Sequence, residues 1–258
     1  MNTERFGDLA GSALVTGGTG GIGRAIVTQL AREGAAVTFT YRSNERLATE
    51  LVTTLTEEGL RVAAVQLDLV EREHCAGVVA VVAAQYGGLH SVIHAAGPHI
   101  PQQHLSTVDP AVFGTHVQAE VVACFNLIHP ALNHLRQSSG SIVAVTTAAT
   151  TRFPVRDGLS STPKAAVEHL IKALAVEEGR YGIRANCVGP GMLTDGMAER
   201  LIASGDLDDR ALDVTRQNIP LRRFGRATDV AEAVCFLASP QSNFISGQVL
   251  NVDGGYSA

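Results

Sequence analysis

Short apolar runs alternate along the chain with longer stretches in which apolar residues recur every three or four positions. The runs are typical of buried parallel strands, and the longer stretches are typical of helices with one apolar face. Seven runs qualify as strands, at residues 14–16, 36–41, 62–67, 91–95, 141–145, 184–188 and 248–252. With right-handed crossovers, this alternation predicts one α/β domain over residues 1–258, a doubly wound parallel sheet of about seven strands with helices on both faces.

A glycine-rich turn follows the first predicted strand, where residues 16–23 read TGGTGGIG and a helical pattern begins. Glycine has no Cβ, so the backbone can turn sharply and a pyrophosphate can approach the amides at the positive end of the helix. The segment predicts a dinucleotide-binding turn, and a structural turn without a ligand is the alternative. The predicted contacts to the dinucleotide are Gly17, Thr19, Gly21, Ile22 and Gly23.

The tips of the next two strands indicate which dinucleotide is bound, because ligands of such sheets lie beyond the carboxyl ends of the strands. An acidic residue at the second tip would bind the adenosine ribose and repel a 2′-phosphate, but Tyr41, Arg42 and Ser43 stand there. This predicts NADP(H) rather than NAD(H); a solvated Arg42 without a ligand is the alternative. Asp68, with Leu69, is placed to accept a hydrogen bond from the adenine amino group, although an acid near a helix N-terminus also has a purely structural use.

Composition and charge favour a protein that acts on small molecules. The 258 residues are 45% hydrophobic, enough for one large core, and the net charge of −5 without a basic run indicates neither nucleic acid nor an anionic membrane as a partner. The first residues are charged and no uninterrupted apolar run approaches about 18 residues, so neither secretion nor membrane spanning is expected. The four cysteines are widely spaced and lie in apolar surroundings, so they are expected to be reduced core residues. Reduced cysteines favour a cytoplasmic location.

Several further segments carry a family resemblance. They are HAAG at 94–97, GIRANCVGPG at 182–191, GRATDVAE at 225–232, FLAS at 236–239, SGQ at 246–248 and VDGGY at 252–256. Together with the glycine-rich turn, they make the chain similar to the short-chain dehydrogenase/reductase family over nearly its whole length. The resemblance implies a Rossmann-type fold, an oxidoreductase activity and a homodimer or homotetramer built through two long helices and the last strand. It also implies cofactor contacts from Ala95, Ala96, Gly97, Pro190, Gly191 and Thr194.

The catalytic positions that the resemblance implies are only partly retained. The family uses a serine, a tyrosine four residues before a lysine, and an asparagine on the preceding helix. In this chain Thr147 stands at the serine position, Ser160 at the tyrosine position and Glu120 at the asparagine position, while Lys164 matches the lysine. Thr147 can still hold a substrate oxygen, and Lys164 can still hold the nicotinamide ribose.

Ser160 is a poor substitute for a phenol, whose pKa of about 10 suits proton exchange beside an ammonium group. The alternative is that Ser160 or Ser161 caps a helix, with Pro163 in its first turn. If catalysis persists, another group must handle the proton; the candidates are His94, His99, His104, Glu120, Arg156 and Asp157. The spacing of the three histidines is regular, but their loop is irregular and hydride transfer needs no metal, so no metal is expected.

Two functions follow from these observations. The first is an NADP(H)-dependent oxidoreductase acting on a small apolar carbonyl, alcohol or activated alkene, with a non-standard proton donor. The second is a catalytically silent NADP(H)-binding homologue that acts as a sensor or structural partner. In either case the segment at about 192–223 is expected to form a lid, because it is the longest stretch without a clear strand. The apolar side chains expected on its inner face are Met192, Leu193, Met197, Leu201 and Ile202.

Overall fold

A computed structural model describes residues 5–98, 100–195 and 209–258. Within them, seven strands form one parallel sheet in the order β3-β2-β1-β4-β5-β6-β7. They are β1 (Ser12–Thr16), β2 (Val37–Tyr41), β3 (Val62–Gln66), β4 (Leu89–His94), β5 (Ser141–Val145), β6 (Arg184–Pro190) and β7 (Val249–Val252). The predicted fold class is confirmed. β6 runs further than predicted, because its last residues pair with β7 as far as Pro190 opposite Val252.

Helices cover both faces of the sheet. They are α1 (Gly21–Arg32), α2 (Glu45–Glu57), α3 (Arg72–Tyr86), α4 (Pro110–Val117), α5 (Ala123–Ser138), α6 (Gly158–Glu178), α7 (Asp209–Asn218) and α8 (Ala227–Ala238). A π-helical turn, Gln118–Val122, joins α4 to α5. One hydrophobic cluster contains residues of α3, α5 and α6, and the other contains residues of α1, α2 and α8.

β1 illustrates why the buried strands carry apolar residues at consecutive positions. All five of its residues are buried. Leu14 belongs to the cluster on one face, whereas Ala13 and Val15 belong to the cluster on the other. Successive side chains of a strand point to opposite faces, so a strand that is covered on both sides needs apolar residues at consecutive positions.

One described helix, the continuous segment Pro110–Ser138, is long and apolar enough to cross a membrane by length and composition, because an 18-residue window of it has a mean hydropathy of 1.3. Its second part, α5, contacts β4 and α3. Cys124, Leu127, Ile128 and Leu135 of α5 are fully buried in the cluster on that face. The apolar character of α5 is therefore accounted for by its place in the core.

The expectation that Ser160 or Ser161 caps a helix is wrong. α6 begins at Gly158 with Asp157 as its N-cap, and the amides of both serines donate to the Asp157 carbonyl oxygen, at 3.0 and 2.9 Å. Pro163 consequently lies inside the helix, beyond the first turn, and it supplies no amide to the preceding turn. The earlier start is possible because residue 158 is glycine: a Cβ there would lie 2.6 Å from the Leu105 side chain.

The predicted lid is described only in part. Its residues Met197, Leu201 and Ile202 lie outside the described residues. Leu193 is buried and forms an isolated parallel bridge with Gly225, which joins the two ends of the segment.

Candidate functional site

The order of the strands reverses between β1 and β4, and the loops that follow these two strands lie against each other. Gly17 has a φ of +70°, and a Cβ on it would lie 2.8 Å from the Ala96 Cα. A Cβ on Gly23 would lie 2.1 Å from the Gly17 carbonyl oxygen. Both positions therefore require glycine, and together they bring the N-terminus of α1 to the point where such sheets bind ligands.

The N-terminus of α1 fits a pyrophosphate. Gly20 is its N-cap and supplies no side-chain cap. The first amides of a helix have no partner within it, and they carry the positive end of the helix dipole. At Gly20 an added Cβ would meet only the Gly17 carbonyl oxygen, at 3.3 Å, and no other atom within 4 Å. A dinucleotide can approach the backbone here, as the glycine pattern predicts.

Thr16 ties the end of β1 to the loop after β4. Its hydroxyl oxygen accepts the amides of Ala95 and Ala96, both at 3.1 Å, and lies 3.2 Å from His94 Nδ1. With both lone pairs of the oxygen engaged, the hydroxyl hydrogen goes to Nδ1, so the neutral ring carries its proton on Nε2.

His94 lies at the end of β4 and is 1% exposed. Burial lowers the pKa of His94 to about 4, and the positive charge of Lys164 acts in the same direction. Its Nε2 is buried without a partner among the described residues. His94 is thus neutral at pH 7, and its bond to Thr16 makes it a support for the loop after β4.

Glu120 and Lys164 form a buried ion pair beside that loop. Glu120 lies on the π-helical turn with its side chain 3% exposed, and Lys164 lies on α6 with its side chain 15% exposed. Lys164 Nζ donates to Glu120 Oε1 in a short contact. A Cβ on Gly97 would lie 3.1 Å from Glu120 Oε1 and 3.7 Å from Lys164 Nζ. The structure therefore brings together Glu120, Lys164 and Gly97, which sequence reasoning assigned to the catalytic and nicotinamide positions.

Thr147 and Ser160 carry the remaining hydroxyls of the predicted catalytic set. Thr147 follows β5, is half-buried, and its Oγ1 accepts the amide of Ala149 at 3.2 Å. Ser160 lies in the first turn of α6, one turn before Lys164, and is half-buried. Within the described residues neither hydroxyl donates a hydrogen bond, so both keep a hydrogen for a ligand.

Arg156 and Asp157 fasten a neighbouring loop to the start of α6. Asp157 accepts a hydrogen bond from Gln102 Nε2 at 2.8 Å, and Arg156 Nη2 donates to the Gln102 carbonyl oxygen at 2.7 Å. Burial raises the pKa of Asp157, while the bond from Gln102 lowers it. Gln102 was missed by sequence reasoning, because a single glutamine in a loop gives no pattern. His104 is exposed, and His99 lies outside the described residues.

The residues predicted for the adenosine end lie at the tips of β2 and β3. Arg42 is exposed, no described carboxylate is within ion-pair distance of its guanidinium, and its carbonyl accepts Gln66 Nε2 at 2.9 Å. Tyr41 ends β2 and Ser43 is exposed. Asp68 accepts the amide of Val70 at 3.2 Å, and Leu69 beside it is buried. Asp68 therefore closes a turn that precedes α3, whose N-cap is Glu71.

The loop after β6 is held by two other segments. The Gly191 amide donates to the Val252 carbonyl oxygen at 3.0 Å, and a Cβ on Gly191 would lie 2.7 Å from the Asp253 Cα. The Thr194 amide donates to the Gly225 carbonyl oxygen at 2.9 Å. Pro190, Gly191 and Thr194 therefore lie at the carboxyl ends of β6 and β7, the same edge of the sheet as the glycine-rich turn.

In the part of the chain that the structure describes, no group of three or more histidine, cysteine or acidic residues is arranged to hold a metal ion. All four cysteines are free and buried. Burial raises the pKa of Cys75 to about 11 and that of Cys124 to about 12. These thiols are core residues rather than nucleophiles.

The sequence of the chain is similar to those of known oxidoreductases. Residues 17–257 match the family model described as enoyl-(acyl carrier protein) reductase. The chain is 33% identical to a chloroplastic tropinone reductase homologue of Arabidopsis thaliana over 98% of this chain and 78% of that protein. It is 32% identical to the 3-oxoacyl-[acyl-carrier-protein] reductase of Staphylococcus epidermidis over 95% of this chain and 98% of the relative.

A solved structure extends the likeness to the fold. The short-chain dehydrogenase of Burkholderia cenocepacia, determined in complex with NADP, superposes with a TM-score of 0.87 at 31% identity, covering 97% of this chain and 99% of the other. The family model matches residues 17–257, and the relatives and the solved structure match at least 95% of this chain. The chain therefore belongs to the short-chain dehydrogenase/reductase family.

Proposed function

We propose that this protein is an NADP(H)-dependent oxidoreductase that interconverts a small carbonyl compound or activated alkene with its reduced product, without a tyrosine as proton donor. The observation that carries the proposal is the buried Glu120–Lys164 ion pair, held next to Gly97 at the edge of the sheet where the dinucleotide is expected. The carboxylate fixes the ammonium group in position, and the ammonium N–H groups that Glu120 does not engage are available to donate to a substrate oxygen.

Cofactor binding is assigned to four groups of residues. The turn residues Gly17, Thr19, Gly21, Ile22 and Gly23 would hold the pyrophosphate through backbone amides. Tyr41, Arg42 and Ser43 would hold the 2′-phosphate, and Asp68 and Leu69 would contact the adenine. Ala95, Ala96, Gly97, Pro190, Gly191 and Thr194 would line the nicotinamide end. The choice of NADP(H) is supported by the unpaired guanidinium of Arg42 and by the NADP complex of the Burkholderia relative.

When bound, NADPH supplies a hydride to the electrophilic carbon of the substrate. The Thr147 hydroxyl donates a hydrogen bond to the substrate oxygen and orients it. Lys164 then gives a proton to the oxygen on which negative charge develops, and Ser160, one turn away on α6, can relay it. The Glu120 carboxylate holds the ammonium group in place beforehand, and solvent at the partly exposed end of Lys164 restores the proton. For an activated alkene the demand on this proton source is smaller.

The experiment is NADPH oxidation with a panel of ketones, quinones and enones, run for the wild-type chain and for Ser160→Tyr. Turnover by the wild type supports the proposal. Turnover only after the tyrosine is introduced would instead support the catalytically silent NADP(H)-binding homologue, which would act as a sensor or structural partner. Lys164→Met removes the proposed proton source, and its affinity for NADPH is measured alongside, because the same side chain is expected to hold the nicotinamide ribose.

The proposal also includes an oligomeric state and a location in the cell. A homodimer or homotetramer is supported by exposed apolar residues on the elements that the family uses for assembly, namely Val112, Val122, Phe125, Val176 and Leu250. A cytoplasmic location agrees with the four free cysteines.

A further inference from the structure

A cationic pocket lies between the loop after β6 and the start of α8. Its volume is about 510 Å³, and its cationic and hydroxyl side chains are Arg216, Arg222, Arg223, Arg226, Thr194 and Thr228. We call it the arginine pocket. Four of the chain's 20 basic residues meet here, although the protein as a whole carries a net charge of −5.

Among the described residues, two of the four guanidinium groups have no carboxylate within ion-pair distance, namely those of Arg222 and Arg226. Arg216 pairs with Asp213 at 2.6 Å, and Arg223 lies 3.4 Å from Asp229, whose carboxylate also lines the pocket. Arg222 donates to the Gln217 carbonyl oxygen in a short contact. In the part of the chain that the structure describes, the lining of the arginine pocket thus has four guanidinium groups and one carboxylate.

These two arginines stand where the backbone favours other residues. Arg222 has a φ of 55°, in the left-handed region that favours glycine. Arg226 is the N-cap of α8 and makes no side-chain cap bond, since arginine has no acceptor. The first amide of α8 donates to the Asp195 carboxylate instead, at 2.9 Å. Residues that do not suit their backbone position are found most often at functional sites, where function compensates for the lost stability.

The segment that carries the arginine pocket is attached to the loops that follow β6 and β7. The Gly225 amide donates to the Met192 carbonyl oxygen at 3.0 Å, and the Leu221 amide donates to the Gly254 carbonyl oxygen at 3.1 Å. These bonds attach the arginine-bearing segment to the loops that follow β6 and β7. A molecule that reacts beside Gly97 would thus have the arginine pocket on the same edge of the sheet.

We propose that the arginine pocket binds the anionic end, a carboxylate or phosphate, of the substrate. Guanidinium groups bind these planar or tetrahedral anions through paired hydrogen bonds, and Thr194 and Thr228 add neutral donors. The substrate class is then a carbonyl compound or alcohol with an apolar body and one anionic end. This assignment rests on the proposed function for the reaction, but anion binding can be measured without turnover.

The test uses the double variant Arg222→Gly/Arg226→Ser, which removes the two unpaired charges. Glycine suits the positive φ at 222 and serine suits the N-cap at 226, so the variant is expected to fold. The matched control is Arg46→Ala/Arg72→Ala, which makes the same change in net charge at side chains that are 75% and 77% exposed on α2 and α3. Inorganic phosphate is titrated into each protein by calorimetry with NADPH at saturation, at two ionic strengths.

The pocket variant is expected to bind phosphate at least about tenfold more weakly than wild type and control, with unchanged affinity for NADPH. Wild-type binding is expected to weaken as salt is added. Equal phosphate binding by all three proteins would overturn the proposal. So would a parallel loss of NADPH affinity, because the arginine pocket would then belong to the cofactor.

A second arm compares kcat/KM for methyl ketones with and without a terminal carboxylate. The pocket variant is expected to lose the preference for the charged ketone and to keep its rate with the uncharged one. Phosphate binding that depends on the two arginines, without turnover of any ketone, would reject the proposed reaction alone. Turnover without such binding would reject this inference alone.

Discussion

Replacing His94 by asparagine is expected to make the fold less sensitive to mild acid. His94 is 1% exposed, and burial together with the charge of Lys164 lowers its pKa from 6.5 to about 4. The unfolded chain, in which the ring is hydrated, therefore takes up a proton at a higher pH than the folded chain does. The stability that this group contributes is complete above pH 6.5 and is lost as the pH falls towards 4.

The magnitude follows from the two pKa values. A pKa lowered from 6.5 to about 4 corresponds to a total of about 3 kcal/mol. About 2 kcal/mol of this is lost between pH 7 and pH 5, because only the unfolded chain titrates in that interval. Burial lowers the pKa of His90 to about 4 as well, and since His90 is present in both proteins it cancels in the comparison.

The assay is urea unfolding followed by circular dichroism at pH 7, 6 and 5. Between pH 7 and pH 5, His94→Asn is expected to lose about 2 kcal/mol less free energy of unfolding than the wild type. The loss of the Thr16 bond lowers its stability at every pH and does not affect this difference. His74→Asn, at an exposed position of α3, is the matched control and is expected to follow the wild type. An identical pH dependence for wild type and His94→Asn would refute the argument.

Four other single variants and one double variant test separate parts of the structure. In urea unfolding, Gly23→Ala is expected to lower the free energy of unfolding by about 3 kcal/mol, because its Cβ would lie 2.1 Å from a carbonyl oxygen, and it is also expected to abolish NADPH binding. Its control, Gly77→Ala, lies in an open helical position and is expected to raise the free energy of unfolding by about 0.5–1 kcal/mol in the same assay. Arg42→Glu is expected to weaken NADPH about 100-fold in fluorescence titrations while sparing NADH, and an equal loss for both would contradict the 2′-phosphate assignment. Lys164→Met is expected to lower the free energy of unfolding by about 3 kcal/mol, because it leaves a buried carboxylate unpaired. In a double-mutant cycle, the additional substitution Glu120→Gln is expected to recover part of this loss. Strictly additive effects of the two substitutions on the free energy of unfolding would contradict the ion pair.

The strands and the dinucleotide turn could be predicted because their causes are local. A strand covered on both faces needs consecutive apolar residues, and the close approaches at Gly17 and Gly23 leave glycine as the only residue that fits. The proximity of Glu120 and Lys164 could be predicted only through the family resemblance. The two residues lie on different helices, and no sequence pattern reports their spacing.

The start of α6 and the arginine pocket could not be predicted, since both depend on contacts between distant segments. The serines at 160 and 161 look like caps, but the fit of Leu105 against Gly158 lets the helix begin earlier. The arginines at 222 and 226 meet Thr194 only because the segment before α8 lies on the loop after β6. The positive φ of Arg222 has no sequence signature.

We propose that hydride transfer occurs in this chain without a tyrosine in the site. To test this, the wild-type protein is incubated with NADPH deuterated at nicotinamide C4 and with carboxylated methyl ketones, and the label is followed by mass spectrometry. We expect deuterium on the carbinol carbon of the product, and loss of the labelled product in Lys164→Met. Stoichiometric binding of NADPH with no label in any product, until Ser160→Tyr is introduced, would contradict it.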